Sequence, residues 1–415
     1  MSIVDTAEEP RTPAPPAPQA PPARPGVVTI GVLLAAVVGL AVISAAGWKL
    51  AVLYVVGLAL GGVLFHSRFG FTSAWRQLVA VGQGRALRAH MLMLAVACVL
   101  FAAILGTGAG LSGAPEGTVA PAGFGVVLGS FLFGVGMQVG GSCASGTLFA
   151  VGSGQTAILY TLGGFIAGSV LSAFLTPWIS ALQKTGPTVS FADTPLGYPG
   201  ALLISLLIIG AVVGVSLLVE RRRTPPPIEA PPTAQGLLRV LRGSWPLWVG
   251  ALLLAGLNAL TLFISGGPWG ITSAFGLWGA KFLGWIGVDI SGAPFWAVPE
   301  NAAKLDASVL ADKISVMDFG IMIGALVASA AAGAFVLHRR IPWRLAVGAV
   351  LGGILMGLGA RLAGGCNIGA YFSGIASFSL HGWLWGVVAI IGTYAGLLLR
   401  PLFGLGNPKP TDSVC

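Results

Sequence analysis

The chain has 415 residues, of which 55% are hydrophobic and only 8% are charged, and its mean hydropathy is +0.90. This amount of polar surface cannot cover a water-soluble globule. The composition therefore excludes a soluble protein and indicates a polytopic membrane protein. The formal charge of +9 does not indicate nucleic-acid binding, because the basic residues are confined mainly to segments between apolar runs.

Ten apolar runs have the length expected of helices that cross about 30 Å of hydrocarbon. A helix is the expected form because it satisfies its own backbone hydrogen bonds in lipid. The predicted fold class is therefore an all-α integral membrane protein with about ten transmembrane helices. The runs are residues 27–46, 49–65, 90–110, 121–139, 156–179, 198–219, 245–265, 318–337, 343–361 and 383–403.

Residues 1–26 are rich in proline and alanine and poor in large apolar side chains, which predicts a disordered cytoplasmic tail. The ISAAG sequence after it resembles a signal-peptide cleavage site, but the run is long and leads directly into another, which favours an uncleaved span. Arginines and prolines in residues 220–244 predict a cytoplasmic linker. The linker separates a first transmembrane half, 27–219, from a second, 245–405, and residues 406–415 form a cytoplasmic tail.

The basic residues also predict the orientation of the chain. With the N-terminus placed inside, the inner loops and tails hold sixteen lysines and arginines, whereas the outer loops hold five. Cytoplasmic loops of membrane proteins carry such an excess of positive charge. We therefore expect a multi-pass protein of the cell membrane with its N-terminus and C-terminus both cytoplasmic.

A repeated glycine-rich motif surrounds two cysteines, one in each half. The sequence is FGVGMQVGGSCASGTLF around Cys143 and MGLGARLAGGCNIGAYF around Cys366. Aligning the cysteines also aligns four pairs of glycines. Ahead of each copy, FGFTSAW (69–75) matches WGITSAF (269–275). The two cysteines are 223 residues apart, whereas the two TSA segments are 200 residues apart. The difference of 23 residues predicts an insertion in the second half near 285–317.

The repeat and the orientation together predict two inverted-topology halves. The helix before Cys143 runs inward in this assignment, and the helix before Cys366 runs outward. Inverted repeats are a recurring plan in transporters, whose substrate site lies near the midplane where interrupted helices from both halves meet. We therefore expect short re-entrant or broken helices at the centre, with the two thiols facing each other across a pathway.

The residue types in these breaks suit a soft anion. Glycine permits the backbone angles that stop a helix, and the segment after each cysteine would begin a helix whose positive amide end points at the thiol. A thiol adds a polarizable sulfur and a weak S–H donor. The predicted substrate-binding residues are Cys143, Cys366, Gly141, Ser142, Gly146, Gly364, Gly365, Asn367, Gly369, Thr72, Ser73, Thr272, Ser273 and Arg361.

The charged residues add two expectations. Arg361 is the only strong charge deep in a predicted span, where it either draws anions toward Cys366 or extends to the outer interface. All thirteen carboxylates fall in tails or loops, with Asp318 at a span edge, so no buried carboxylate is expected for a proton relay. Cys98 is interpreted as a small core residue.

The doubled cysteine motif, with a TSA segment ahead of each copy, resembles the YeeE/YedE family of bacterial membrane proteins over residues 40–405. The resemblance implies import of thiosulfate or a related sulfur anion across the bacterial cell membrane, often in partnership with a cytoplasmic TusA-like sulfurtransferase. It also implies that cysteines pass the ion along by hydrogen bonds to sulfur, and Cys143 and Cys366 match these relay positions. Family members commonly have a further cysteine where this chain has Gly70, so that relay position is either missing here or replaced by the hydroxyls of Thr72 and Ser73.

Other functions make different predictions for the same cysteines. They could be packing residues in close helix contacts, or the covalent centres of a membrane thiol–disulfide or sulfurtransfer enzyme. A copper permease would line its path with methionines, but the seven methionines form no motif. No zinc motif and no phosphate-binding loop is present in the sequence. We therefore predict a transporter without a cofactor or metal, not an enzyme, whose partners are the sulfur anion and membrane lipid and not nucleic acid.

Overall fold

The structure, a computed structural model, describes residues 21–225, 236, 238–337 and 340–406. Most of the predicted N-terminal tail, much of the linker and most of the C-terminal tail lie outside the described residues. Within them the chain is helical, and extended segments pair only at isolated bridges. The prediction of an all-α membrane protein is confirmed.

Sixteen α-helices are found in the described residues, and nine continuous helical stretches among them are long and apolar enough to cross a membrane. The helices are α1 Pro25–Ser67, α2 Phe71–Val81, α3 Arg85–Thr107, α4 Phe124–Val139, α5 Ala144–Gly152, α6 Ala157–Phe174, α7 Thr176–Gln183, α8 Gly197–Arg223, α9 Leu238–Arg242, α10 Leu247–Ser265, α11 Thr272–Trp285, α12 Pro299–Asp306, α13 Lys313–Ala331, α14 Trp343–Leu362, α15 Ser373–Ala376 and α16 Leu380–Leu399.

Helix α1 consists of two antiparallel arms joined at Gly47. This glycine has φ +81° and ψ −178°, a conformation that residues with a Cβ rarely adopt. The hydroxyl of Tyr54 donates to the carbonyl oxygen of Ala35 at 3.2 Å, whereas residues so far apart in a straight helix would be separated by about 28 Å. The arms match the first two predicted runs, so the nine stretches agree with the predicted number of about ten spans.

Four short helices lie next to the repeated motifs. Helices α2 and α11 contain the two TSA segments, α5 follows Cys143, and α15 continues a π-helical turn, Asn367–Phe372, that follows Cys366. Each packs on a long helix of the other half of the chain: α2 on α16, α11 on α6, α5 on α13, and α15 on α3. The interrupted segments of each half therefore pack against the other half, with the C-terminal end of α11 exposed.

The long helices of the two halves approach each other through glycines. Helix α4 packs on α14 and α16, and α6 packs on α14. A methyl group added at Gly136 would lie 2.6 Å from the carbonyl oxygen of Gly352, and one added at Gly353 would lie 2.6 Å from the backbone nitrogen of Phe165. Small residues permit such contacts between membrane helices. The two halves are interlocked along this surface, which we call the glycine seam.

The predicted insertion packs onto one helix of each half. After α11 the chain forms a segment that includes α12, and Ile290, Ala293 and Trp296 in it are buried against Leu277 of α11 and Ala173 of α6. The backbone N–H of Phe295 also donates to the carbonyl oxygen of Ala173 at 3.2 Å. The insertion therefore closes over the outer parts of α6 and α11 rather than extending away from them.

The expectation that no carboxylate is buried in a span is wrong. Helix α13 begins at Lys313, more than one turn before the predicted run, because the Asp312 carboxylate caps it by accepting the backbone N–H of Ser315 at 2.8 Å. Asp318 consequently lies inside the helix, where its side chain is 0% exposed.

Candidate functional site

The first break ends α4 and presents Cys143. Gly141 adopts φ +81°, which turns the chain out of the helix, and Cys143 then caps α5. The backbone N–H of Gly146 donates to the Cys143 sulfur at 3.4 Å. An added methyl group at Gly146 would lie only 3.3 Å from the same sulfur. Glycine at this position therefore allows the thiol to sit against the first turn of α5.

The second break repeats this arrangement with one difference. Gly364 and Gly365 adopt φ +71° and +151°, and Cys366 caps the π-helical turn that follows. The backbone N–H of Ile368 donates to the Cys366 sulfur at 3.4 Å. A methyl group added at Gly369 would meet no atom within 4 Å, unlike one at Gly146. The wider turn thus leaves open space next to the second thiol.

Both thiols lie in the same buried cluster at the centre of the bundle. Cys143 is 1% exposed and Cys366 is 0% exposed. Helix α5, which Cys143 caps, also contacts the π-helical turn that Cys366 caps. Cysteines 98, 143 and 366 are all free thiols.

A first cavity of about 100 Å³ opens next to Cys143. Six predicted site residues of the first half line it together with Gly70 and Arg76. The six are Thr72, Ser73, Gly141, Ser142, Cys143 and Gly146. The hydroxyl of Thr72 is buried with no hydrogen-bond partner in the part of the chain that the structure describes, whereas that of Ser73 donates to the carbonyl oxygen of Gly70 at 3.2 Å. The cavity therefore combines a thiol, hydroxyls and one guanidinium.

A second cavity of about 370 Å³ opens beside the other break. Its lining includes hydroxyls from α6 and α7 and predicted site residues of the second half. The predicted residues are Thr272, Ser273, Arg361, Gly364 and Gly365. Cys366, Asn367 and Gly369 do not line either cavity and lie deeper in the core. The structure thus divides the predicted residues between two cavities and the buried region of the π-helical turn.

Arg361 is fixed at the second cavity by the insertion. Its guanidinium carbon lies 3.7 Å from the centre of the Phe295 ring, in a cation–π contact. Both residues line the cavity. The positive charge is therefore presented to the cavity, and its effect on anions stays a prediction.

Asn367 is buried with both polar atoms of its side chain unpartnered among the described residues. An unpaired buried amide is costly, so such a group in a native fold calls for an explanation such as a bound ligand. Asn367 directly follows Cys366, so its amide could supply a donor close to the second thiol.

Sequence reasoning missed Arg76. It lies one helical turn after Ser73 in α2, and the equivalent position in the second half is Gly276, so the repeat did not draw attention to it. Each cavity therefore holds one arginine, but at positions that the repeat does not relate. Among the described residues there is no group of three or more side chains suited to hold a metal ion.

Cys98 differs from the other two thiols. It is buried in α3, and its sulfur donates to the carbonyl oxygen of Ile375 at 3.7 Å. It lines neither cavity. This location agrees with its interpretation as a core residue.

Comparison with known proteins identifies the family. The chain is 29% identical to the thiosulfate transporter TsuA of Spirochaeta thermophila over 83% of this chain and 98% of that protein. It is 27% identical to the thiosulfate transporter TsuA of Escherichia coli over 82% of this chain and 91% of that protein. A shorter match, 33% identical, covers 37% of this chain and 38% of the probable transporter YedE of Escherichia coli.

The profile of the sulphur transport family matches residues 66–395, which include both cysteine breaks and both TSA segments. The relatives compared above are named as transporters. The chain is therefore a membrane transporter, not an enzyme, and belongs to the sulphur transport family.

Proposed function

We propose that the protein imports thiosulfate along a central path formed by the second cavity, the two thiols and the first cavity. The observation that carries the proposal is the pair of buried cysteines, each capping a helix at a glycine break, between two cavities that each hold an arginine. The names of the two TsuA relatives, which match over most of their length, support thiosulfate as the substrate.

In this proposal the second cavity collects the anion. Arg361 supplies positive charge, and the N-terminus of α11 supplies backbone N–H groups together with the hydroxyls of Thr272 and Ser273. Helix N-termini favour anions because their amide groups are unpaired and the helix dipole is positive there. No carboxylate lines this cavity, so negative charge is not opposed there.

The thiols then form the narrow part of the path. Each sulfur accepts a backbone N–H, and the Cys143 sulfur also lies 3.6 Å from the Ser145 hydroxyl, so each S–H would donate to an incoming sulfur anion, that of Cys143 in place of this contact. The neutral thiol attracts the ion without the tight binding that a buried lysine or arginine would give. Open space at Gly369 and the unpaired amide of Asn367 would accommodate the ion beside Cys366.

The first cavity would release the ion. Arg76, Thr72 and Ser73 stand there near Gly70, in the segment where related proteins commonly carry a further cysteine. A guanidinium and hydroxyls bind an anion that is regaining water better than a thiol does, because they are stronger donors. We therefore propose that these three residues replace the third thiol.

The two halves are proposed to be inverted copies, with residues 27–219 and 245–405 as the transmembrane halves. The contacts between helices support this arrangement. If α1 and α3 correspond to α10 and α13, the contact of α1 with α13 is repeated by the contact of α10 with α3. If α4 and α6 correspond to α14 and α16, the contact of α4 with α16 is likewise repeated by the contact of α14 with α6. With both termini cytoplasmic, as the arginine distribution predicts, the second cavity faces outward and the first faces a cytoplasmic acceptor such as a TusA-like sulfurtransferase. The membrane would be the bacterial cell membrane.

Reconstituted vesicles test the proposal. Vesicles with the protein should accumulate radiolabelled thiosulfate faster than protein-free vesicles, and unlabelled thiosulfate should compete while sulfate at the same concentration should not. Uptake indistinguishable from protein-free vesicles would refute the proposal. Mass spectrometry of the protein after uptake should show unmodified Cys143 and Cys366, since a lasting persulfide would indicate covalent sulfur transfer instead.

A further inference from the structure

Helix α13 carries a buried carboxylic acid that the proposed path does not use. Asp318 is 0% exposed, and neither of its oxygens has a hydrogen-bond partner among the described residues. An ionised carboxylate without a partner is very unfavourable in such surroundings, so the neutral, protonated form is expected. Acids inside membrane spans are rare, and they commonly mark proton or ion pathways.

A row of polar side chains leads to Asp318 from the start of the helix. Asp312, Ser315 and Asp318 are spaced three residues apart, which places them on one face of α13. The Ser315 hydroxyl donates to the Asp312 carboxylate at 2.7 Å and accepts the indole N–H of Trp278 at 2.9 Å. Asp312 is partly exposed, whereas Ser315 is buried. The row thus connects the end of the helix with the interior of the bundle.

The inner end of this row lies beside the proposed path. Helix α13 packs on α5, which Cys143 caps. Met317 and Ile321, which flank Asp318 in α13, belong to the same buried cluster as Cys143 and Cys366. An anion at Cys366 and a proton on Asp318 would therefore stabilise each other, and binding of one would favour binding of the other.

Other titratable groups near α13 do not neutralise Asp318, since none that the structure describes hydrogen-bonds to it. On its own helix Asp312 and Lys313 stand at the N-terminal end. The elements packed against α13 are α1, α5, α9 and α11 and the short turn before it. Their titratable or charged residues are Lys49, Tyr54 and His66 on α1, Cys143 on α5, Arg239 and Arg242 on α9, and Lys281 on α11.

We propose that Asp318 is a proton-binding site that couples anion import to the proton gradient, an inference that rests on the proposed function. A proton enters through Asp312 and Ser315, binds Asp318 while the anion occupies the thiols, and leaves inward after the anion departs. With one proton per thiosulfate dianion, each cycle carries one net negative charge inward. Because a proton moves inward in each cycle, a pH gradient that is more acidic outside drives accumulation of the anion, whereas an inside-negative membrane potential opposes the net charge movement.

Vesicles with a defined pH gradient test the coupling. Wild-type protein should take up labelled thiosulfate at least about tenfold faster with an acidic exterior than without a gradient, and a dye inside the vesicles should report proton entry when thiosulfate is added. Asp318→Asn, which keeps the shape but cannot exchange a proton, should lose this stimulation and the dye signal. It should retain exchange of labelled for unlabelled thiosulfate at equal pH. Asp289→Asn, in an exposed loop, is the matched control and should behave like wild type.

The outcomes separate the two proposals. No thiosulfate exchange by the wild-type protein would refute the proposed function itself. Exchange without stimulation by the gradient, or without proton entry, would overturn the coupling alone, and so would full stimulation in Asp318→Asn. If Asp318→Asn does not fold, the test uses Asp318→Glu instead. This variant keeps an exchangeable proton and should retain gradient-driven uptake. Loss of stimulation in a folded Asp318→Glu variant would count against the proposal.

Discussion

Replacing each path cysteine with alanine should abolish most transport while leaving the protein folded. The Ala variants of Cys143 and Cys366 each lose one helix-capping hydrogen bond, worth about 1 kcal/mol, and one buried sulfur atom, worth about another 1 kcal/mol. In transport, each loses a hydrogen-bond donor to a charged ion, worth about 1.5–3 kcal/mol. Because 1.4 kcal/mol corresponds to about tenfold, the initial rate of uptake should fall roughly 10- to 100-fold.

The assay compares initial rates of thiosulfate uptake in vesicles that contain equal amounts of folded protein, together with thermal unfolding in detergent. Cys98→Ala is the matched control, because Cys98 is also buried and makes one hydrogen bond, to the carbonyl oxygen of Ile375. It should lose similar stability but transport at close to the wild-type rate. Equal uptake by all three alanine variants would refute a transport role for Cys143 and Cys366.

Serine variants separate helix capping from transport. A serine oxygen caps a helix at least as well as a sulfur, so Cys143→Ser and Cys366→Ser should keep the stability of the wild-type protein. If capping were the only role, both variants would transport normally. We expect reduced uptake instead, because the hydroxyl lacks the soft, polarizable sulfur that favours this anion.

Gly146→Ala should reduce uptake at least about tenfold by displacing the Ser142 hydroxyl and the adjacent thiol, whereas Gly163→Ala, at an exposed position of α6 with open space around it, should leave uptake unchanged. Arg361→Gln should raise the thiosulfate KM about three- to tenfold with little change in maximal rate, as expected for loss of one partly exposed ion contact, while Arg344→Gln should have no effect on KM. Gly353→Val should lower the free energy of unfolding by about 1–3 kcal/mol, because the larger side chain overpacks the glycine seam. Thermal unfolding measures the change, and an unchanged melting temperature would contradict the close contact.

The sequence was sufficient to predict the membrane-spanning helices and the positions of the breaks. Helices in lipid need long apolar runs, so composition alone reveals them. The breaks were predictable because the motif occurs twice, and both copies contain glycines at left-handed backbone positions, Gly141 and Gly364. The hairpin within α1 was predicted as two separate runs, 27–46 and 49–65, and Gly47 lies between them.

The residues that sequence reasoning misplaced depend on tertiary contacts. Asp318 was assigned to a span edge because Lys313 lowers the local hydropathy, yet Asp312 begins the helix earlier and α1 and α5 cover it. Arg76 gave no periodic or repeated signal, and only the folding of α2 beside Cys143 brings it to a cavity. The contact of Phe295 with Arg361 joins an insertion to a distant helix, and no local pattern indicates it.

The glycine seam limits how the transporter can move. Because α4, α6, α14 and α16 meet backbone to backbone across the two halves, no plane of loose side chains separates one half from the other. A rocking motion of whole halves would break many of these contacts at once. We therefore expect the bundle to act as a fixed frame, with an ion advancing through small local rearrangements of the loops at Gly141 and Gly365.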